Sequence, residues 1–99
     1  MCVKYAIIKN MKSYRYLERI AKGFANHRRI EILDLLARDP ELSVLEVSEK
    51  LGVNFKTISE HIRRLAVSGL IMKRSEGASV RHKLTQQGFL ILKFLRTLE

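Results

Sequence analysis

Two helical segments separated by only the turn LGVN constrain the fold of this chain more than any other feature. The first begins at Ser43, because Ser43 and Glu46 have the spacing of a capping box, and it ends at Gly52. The second, NFKTISEHIRRLAVSGLI, spans residues 54–71, and Asn54 is suited to cap its N-terminus. Two helices joined by a short turn that contains a glycine are typical of a helix-turn-helix motif.

Residues 13–69 are predicted to form four helices in all, each with one apolar stripe that faces a shared core. Asn26 is suited to cap the second helix, and Pro40 prevents that helix from continuing. In chain order, the predicted core residues are Leu17, Ile20, Ala21 and Phe24; Ile30, Leu33, Leu36 and Ala37; Val44, Val47 and Leu51; and Phe55, Ile58, Ile62, Leu65 and Ala66.

A short β-hairpin is predicted after the motif, because LIMKR and VRHKL have strand character and Gly77 between them permits a turn with positive φ. The predicted fold is therefore mainly α-helical with one small hairpin, in the order α-α-α-turn-α-β-β-α, which is that of a winged helix-turn-helix. The second strand is expected to carry Val80, His82 and Leu84 on one face and the cations Arg81 and Lys83 on the other.

The last helix, QQGFLILKFLRTLE, is capped by Thr85 and is apolar around nearly its whole circumference. Such a helix needs burial on two sides, and one small domain offers only one. We therefore predict a homodimer that joins through the first and last helices. The predicted interface residues are Leu17, Phe89, Leu92, Phe94, Leu95 and Leu98.

The chain carries a formal net charge of +9, which favours a polyanionic partner, either nucleic acid or an anionic membrane surface. The charge is concentrated rather than spread. Residues 1–25 hold six cations against one acid and residues 54–84 hold seven against two, whereas residues 26–53 hold four against six. A directed binding face, with residues 1–12 as a basic N-terminal arm, accounts for this distribution.

Several classes of protein are disfavoured by the sequence. There is no apolar run long enough to span a membrane and no signal peptide, so a cytoplasmic protein without membrane contact is expected. Cys2 is the only cysteine and makes no internal disulfide. No catalytic triad, phosphate-binding glycine loop or paired carboxylate array is visible, so neither enzymatic activity nor a cofactor is expected.

Residues 27–84, from the second helix to the hairpin, resemble the ArsR family of dimeric winged helix-turn-helix repressors. The features that carry the resemblance are the LG of the turn, the T-x-S-x-H run and the GL that follows the fourth helix. The family's recognition-helix pattern is matched by Thr57, Ser59 and His61, and its wing glycine by Gly77; the chain departs from the usual polar choices at Phe55, Lys56 and Glu60.

The better-known members of that family sense metals, and the residues needed for this are missing here. Ser43 and Leu45 stand where the resemblance places a pair of cysteine ligands, and residues 85–99 contain neither Asp nor His. His27 and Glu31 are four residues apart, a spacing more typical of a surface helix pair than of a metal site. The resemblance thus implies a member that senses no metal.

The predicted function is sequence-specific binding to an inverted repeat in double-stranded DNA, with residues 55–68 in the major groove. A winged-helix module that binds RNA or a protein partner is the alternative. Segments 43–69, 70–84 and 85–99 are assigned as helix-turn-helix, wing and dimerisation helix of one domain, 1–99. The predicted DNA-binding residues are Lys56, Thr57, Ser59, Glu60, His61, Arg63, Arg64, Lys73, Arg74, Arg81 and Lys83.

Overall fold

A computed structural model of the chain describes residues 13–99. Within this range five helices and one antiparallel hairpin follow the predicted order. Their bounds are α1 Tyr14–Phe24, α2 His27–Arg38, α3 Val44–Leu51, α4 Phe55–Val67, β1 Ile71–Glu76, β2 Ser79–Leu84 and α5 Gln86–Arg96. The strands pair in register from Ile71 with Leu84 to Glu76 with Ser79. The predicted winged helix-turn-helix architecture is confirmed, and the predicted N-terminal arm lies outside the described residues.

The helix boundaries follow from capping side chains, as predicted. Asn26 and Asn54 each accept hydrogen bonds from two backbone N–H groups at the start of α2 and α4. Ser43 and Glu46 form both hydrogen bonds of the capping box at the start of α3. At the other end of α3, Gly52 adopts φ +65°, a conformation that lets the chain turn directly into α4.

The core is built where α2, α3, α4 and the base of the hairpin meet. α2 contributes a wider face than its predicted stripe, because Ile32 and Leu35 are buried together with the predicted Leu33 and Leu36, while Ile30 is only half-buried. The most completely buried apolar side chains are Ile32, Leu33, Leu36, Val47, Ile58, Ile62, Leu65 and Leu70.

Three core predictions and one interface prediction are wrong. On α1, Ile20 is buried but Leu17 and Ala21 are exposed, because the face toward the domain is formed by Ile20 with Gly23 and the half-buried Tyr16. Phe55 occupies the first position of α4 and is 51% exposed, since it lies beyond the edge of the core. Leu92 was assigned to the dimer interface, but it is 7% exposed and belongs to the chain's own core.

A contact between distant segments joins the hairpin to the segment that leads into α3. Glu41 donates its backbone N–H to the carbonyl of His82, and His82 donates its own to the carbonyl of Leu42, at 2.8 and 3.0 Å. The ring Nδ1 of His82 lies 2.8 Å from the same Leu42 carbonyl oxygen. The segment before α3 thus pairs with the free edge of β2. In the described range, no helix is both long and apolar enough to cross a membrane.

Acidification from pH 7 to pH 5 is expected to lower the free energy of unfolding. Burial of the His82 ring lowers its pKa below the ordinary 6.5, and nearby Lys73 acts in the same direction. Because the unfolded chain takes up the proton more readily, the stability present above about pH 6.5 is lost as the pH falls through the lower, folded-state pKa. Urea unfolding at the two pH values measures the loss.

A matched pair of variants measures the part of this loss that comes from the His82 ring. His82→Gln keeps a donor for the Leu42 carbonyl but does not titrate, so its stability should depend less on pH than that of the unmodified chain. His27→Gln replaces an exposed ring and serves as the control. An equal pH dependence in all three proteins would contradict the assignment.

Candidate nucleic-acid interface

The side of α4 that points away from the core carries the predicted contact residues. Ile58, Ile62 and Leu65 turn into the core and thereby fix the rotation of the helix. The consequence is an exposed row of polar and cationic side chains over the whole length of the helix: Lys56, Thr57, Glu60, Arg63 and Arg64. Ser59 and His61 lie half-buried at its edges.

Glu60 lies at the centre of this row and organises its two arginines. Its carboxylate accepts hydrogen bonds from Arg63 at 2.6 and 3.1 Å and from Arg64 at 3.1 Å. The hydrogen bond from Arg63, with a further contribution from Arg64, lowers the pKa of Glu60 to about 2. The carboxylate is therefore ionised at neutral pH, and both guanidinium groups are held beside the residues of the first two turns.

His61 is half-buried, and its ring contacts α2. Arg29 on α2 donates its Nε–H to the ring Nδ1 of His61 at 3.1 Å, so that ring nitrogen must be an acceptor. Burial, with the positive charge of Arg29, lowers the pKa of His61. The neutral ring thus links α4 to α2 through this hydrogen bond. The sequence pattern identified His61 as part of the recognition helix but gave no sign of this second role.

The wing arginines are anchored to Glu41, in the segment before α3, and to Glu46, in the first turn of α3. Arg74 binds the Glu41 carboxylate at 2.7 and 3.0 Å and also pairs with Glu76. Arg81, its cross-strand partner, donates to the Glu41 carbonyl at 3.0 Å and lies 3.5 Å from Glu46. Much of the charge of both arginines is therefore compensated inside the protein.

The lysines among the predicted DNA-binding residues differ from the wing arginines because they have no acidic partner in the described range. Lys56, Lys73 and Lys83 are exposed, and none forms an ion pair with another residue of the 13–99 range. Lys83 lies on the outer face of the hairpin with Arg74 and Arg81, whereas Lys73 pairs with His82 across the strands and lies on the opposite face. The outer face predicted to carry Arg81 and Lys83 thus also holds Arg74, while Lys73 lies on the other side of the hairpin.

A second surface is apolar and lies on α1 and α5. Leu17, Phe89, Phe94 and Leu98 of the predicted interface are 41 to 67% exposed, and Leu95 is half-buried. Two large exposed side chains that the prediction did not include extend this surface, namely Tyr14 and Leu90. Large apolar side chains that remain exposed on two helices are candidates for burial against a second protein copy. Among the described residues, no group of three or more His, Cys, Asp or Glu is placed to hold a metal ion.

Comparisons with known proteins agree with this geometry. A family model described as winged helix-turn-helix DNA-binding matches residues 26–72. The HTH-type transcriptional regulator Rv0324 of Mycobacterium tuberculosis is 41% identical over 59 residues, which are 60% of this chain and 26% of that protein. The regulator MJ1325 of Methanocaldococcus jannaschii is 33% identical over 67 residues, covering 68% of this chain and 75% of that protein.

Among solved structures, the homodimeric winged helix-turn-helix domain Mb0332 of Mycobacterium bovis, described as a possible ArsR-family regulator, superimposes with a TM-score of 0.77. It is 27% identical, and the match covers 89% of this chain and 87% of that domain. The chain belongs to the ArsR family of winged helix-turn-helix transcriptional regulators.

Membership of the ArsR family identifies the elements on which these surfaces lie. In a winged helix-turn-helix, α3 and α4 are the supporting and recognition helices, and β1 and β2 form the wing. The alternative interpretation, a module for RNA or protein binding, has no support in these comparisons. This ArsR-family chain spans only 26% of the length of its Mycobacterium tuberculosis relative, which is therefore a much longer protein.

Proposed function

We propose that this chain is a sequence-specific DNA-binding regulator of transcription that acts as a homodimer in the cytoplasm and senses no metal. The observation that carries the proposal is the exposed polar and cationic row of α4, fixed by a core on one side and flanked by an anchored wing. Occupation of promoter DNA by such a dimer excludes other proteins, so we propose repression as its mode of action.

The geometry of α4 suggests a division of labour along the helix. Lys56, Thr57 and Glu60 lie in its first two turns, where base edges of the major groove come within reach. Arg63 and Arg64 follow a turn later and would contact phosphates, with Ser59 and His61 at the edges. The wing would add Lys73, Arg74, Arg81 and Lys83 beside the neighbouring backbone.

We propose that the apolar surface of α1 and α5 joins two copies of the chain. The predicted single domain, 1–99, would use segments 43–69, 70–84 and 85–99 as its helix-turn-helix, wing and dimerisation helix. Two copies related by a two-fold axis present two recognition helices. The target would then be an inverted repeat whose half-site centres are about 34 Å, or one helical turn, apart. Selection of bound fragments from random DNA tests this, and a selected motif without two-fold symmetry would contradict it.

Substitutions on α4 should separate base reading from backbone binding. Thr57→Ala is expected to change the preferred base at one position of each half-site, at a cost of about 1 to 3 kcal/mol for the original sequence. Arg64→Gln should lower affinity for all sequences alike. Sites selected by the two variants provide the measurement. An unchanged motif with Thr57→Ala, together with a changed motif for Arg64→Gln, would reverse the assignment.

Glu60→Gln should have two effects at once. Loss of the carboxylate frees Arg63 and Arg64 and removes a negative charge that repels phosphate, so affinity for random DNA should rise. The variant should also lose discrimination at the base pair nearest Glu60, because a carboxylate accepts from cytosine N4. Binding curves with a selected duplex and with a random duplex measure both effects. A fall in affinity for random DNA would show that Glu60 does not restrain these arginines.

A further inference from the structure

A basic groove borders the predicted contact surface, between α1 and the C-terminal half of α4. It has a volume of about 250 Å³ and is lined by five cations from three helices. These cations are Arg19 and Lys22 of α1, Arg29 of α2, and Arg63 and Arg64 of α4. None of its lining residues is acidic. Because Arg63 and Arg64 also belong to the exposed row of α4, the groove is continuous with the proposed recognition surface.

Close packing of α1 against the end of α4 creates the groove. A Cβ atom on Gly23 would lie 2.1 Å from the Ser68 Oγ, so only glycine allows this approach. Ser68 in turn donates a hydrogen bond to the Arg64 carbonyl at 2.8 Å. The contact brings the cationic side of α1 beside α4, a placement that sequence spacing alone does not reveal.

Arg29 lies in the groove as a cation without an acidic partner. Its guanidinium donates to the carbonyls of Lys22 and Gly23 at 2.9 and 3.2 Å and to the His61 ring. Partial burial, together with the positive charge of Arg64, lowers the pKa of Arg29. The surroundings therefore disfavour the charged form of Arg29. An anion bound in the groove would stabilise that charged form.

Acidic side chains near the groove compensate only part of its charge. Glu18 pairs with Lys22, and Glu60 pairs with Arg63 and Arg64. Arg19, like Arg29, forms no ion pair with any residue from 13 to 99. The net charge of this region is thus positive.

The two exposed sides of α1 differ in chemistry. Arg15, Arg19 and Lys22 recur at spacings of four and three residues on one side of the helix, where Glu18 also lies and pairs with Lys22, so this side is cationic in net charge. Tyr14 and Leu17 lie on another side, which belongs to the apolar surface proposed for dimerisation. A partner copy on the apolar side therefore leaves the cationic side available for a different ligand.

We propose that this basic groove binds phosphates of the DNA backbone next to the bases that α4 reads, with Arg19 and Lys22 as contact residues and Arg29 as their support. The inference rests on the proposed function and extends the DNA-binding surface from the helix-turn-helix and wing to α1. A phosphate carries the compensating charge that the groove lacks, and guanidinium groups bind phosphate oxygens with good geometry. Continuity with Arg63 and Arg64 places such a phosphate on the same duplex.

The test compares Arg19→Gln with Arg38→Gln in salt titrations on a selected duplex. Arg19→Gln should reduce the slope of log affinity against log salt by about 0.9 for each protomer of the dimer, without changing the selected motif. Arg38→Gln removes the same charge from the last turn of α2, away from the groove, and should leave the slope unchanged. Sedimentation and circular dichroism establish that both variants remain folded dimers.

Replacing single phosphates by uncharged methylphosphonates locates the contact. In the unmodified protein, one neutralised phosphate outside the base-read positions should weaken binding, and Arg19→Gln should be insensitive to that same replacement. Equal sensitivity at every phosphate, or equal salt slopes for both variants, would overturn the inference while leaving specific binding intact. If the unmodified protein showed no preference for the selected duplex, the proposed function itself would fail.

One further experiment distinguishes a site for DNA phosphates from a site for a small free anion. If inorganic phosphate stabilised the free protein against thermal unfolding but not Arg19→Gln, while both bound DNA equally, the groove would be a small-anion site and the proposal would be wrong. Loss of DNA affinity in Arg19→Gln with no such difference in thermal stability supports a backbone contact.

Discussion

Phe94→Lys is expected to convert the proposed homodimer into a monomer and to remove most of its affinity for the proposed inverted repeat. Phe94 is 55% exposed in the chain by itself and lies on the apolar surface of α1 and α5. Burial of a large apolar side chain contributes about 1.5 to 3 kcal/mol, and a two-fold dimer buries it twice. The dimer dissociation constant should therefore rise on the order of 10²- to 10⁴-fold.

Leu45→Lys is the matched control, because Leu45 is also 55% exposed but lies on α3, outside that surface. Sedimentation at micromolar concentration should give a monomer for Phe94→Lys and a dimer for Leu45→Lys. Retained circular dichroism in both variants would exclude unfolding as the cause. An unmodified protein that sediments as a monomer, or a Phe94→Lys variant that stays dimeric, would contradict the proposed interface.

Affinity for DNA should fall steeply with salt, by about 10³- to 10⁵-fold between 50 and 200 mM if six to ten phosphates are contacted. The structure modifies the contribution expected from each cation. Lys73 and Lys83 have no acidic partner among residues 13–99, whereas Arg74 is paired with Glu41 and Glu76. Lys83→Gln should therefore flatten the salt dependence more than Arg74→Gln.

Comparison of these two variants also tests the role of the anchored arginines. Arg74→Gln breaks the contact with Glu41, so its main effect should be on stability and on the placement of the wing. Urea unfolding should detect that loss in Arg74→Gln and little change in Lys83→Gln. Salt-independent binding by the unmodified protein would contradict the electrostatic account entirely.

Sequence patterns were sufficient where the determining interactions are local. Caps are formed by residues two or three positions from the groups they bind, so Asn26, Ser43 and Asn54 could be identified directly. The positive φ of Gly77 was equally predictable from the two flanking strands. Order of elements, turn length and the resemblance to the ArsR family all follow from such short-range signals.

Predictions failed at the ends of helices and where a helix is apolar on several sides. Phe55 has the spacing of a core residue, but the core ends before the first turn of α4. Leu92 is one of many apolar residues in α5, and periodicity cannot tell which of them faces the chain's own core. Only the docking of α5 against the other elements decides that Leu92 is inside and Phe94 outside.

The sequence by itself determined the fold, the recognition helix and the cationic character of the surface, because these depend on spacing and composition. The tertiary structure alone decided which charges are free. Arg29 meets His61 across 32 residues of chain, and Arg74 meets Glu41 across 33. Electrostatic interactions depend on the distance between charges in space, and no local sequence pattern encodes that distance for residues far apart in the chain. The folded structure therefore determines which cations have a partner and which remain available to bind a polyanion.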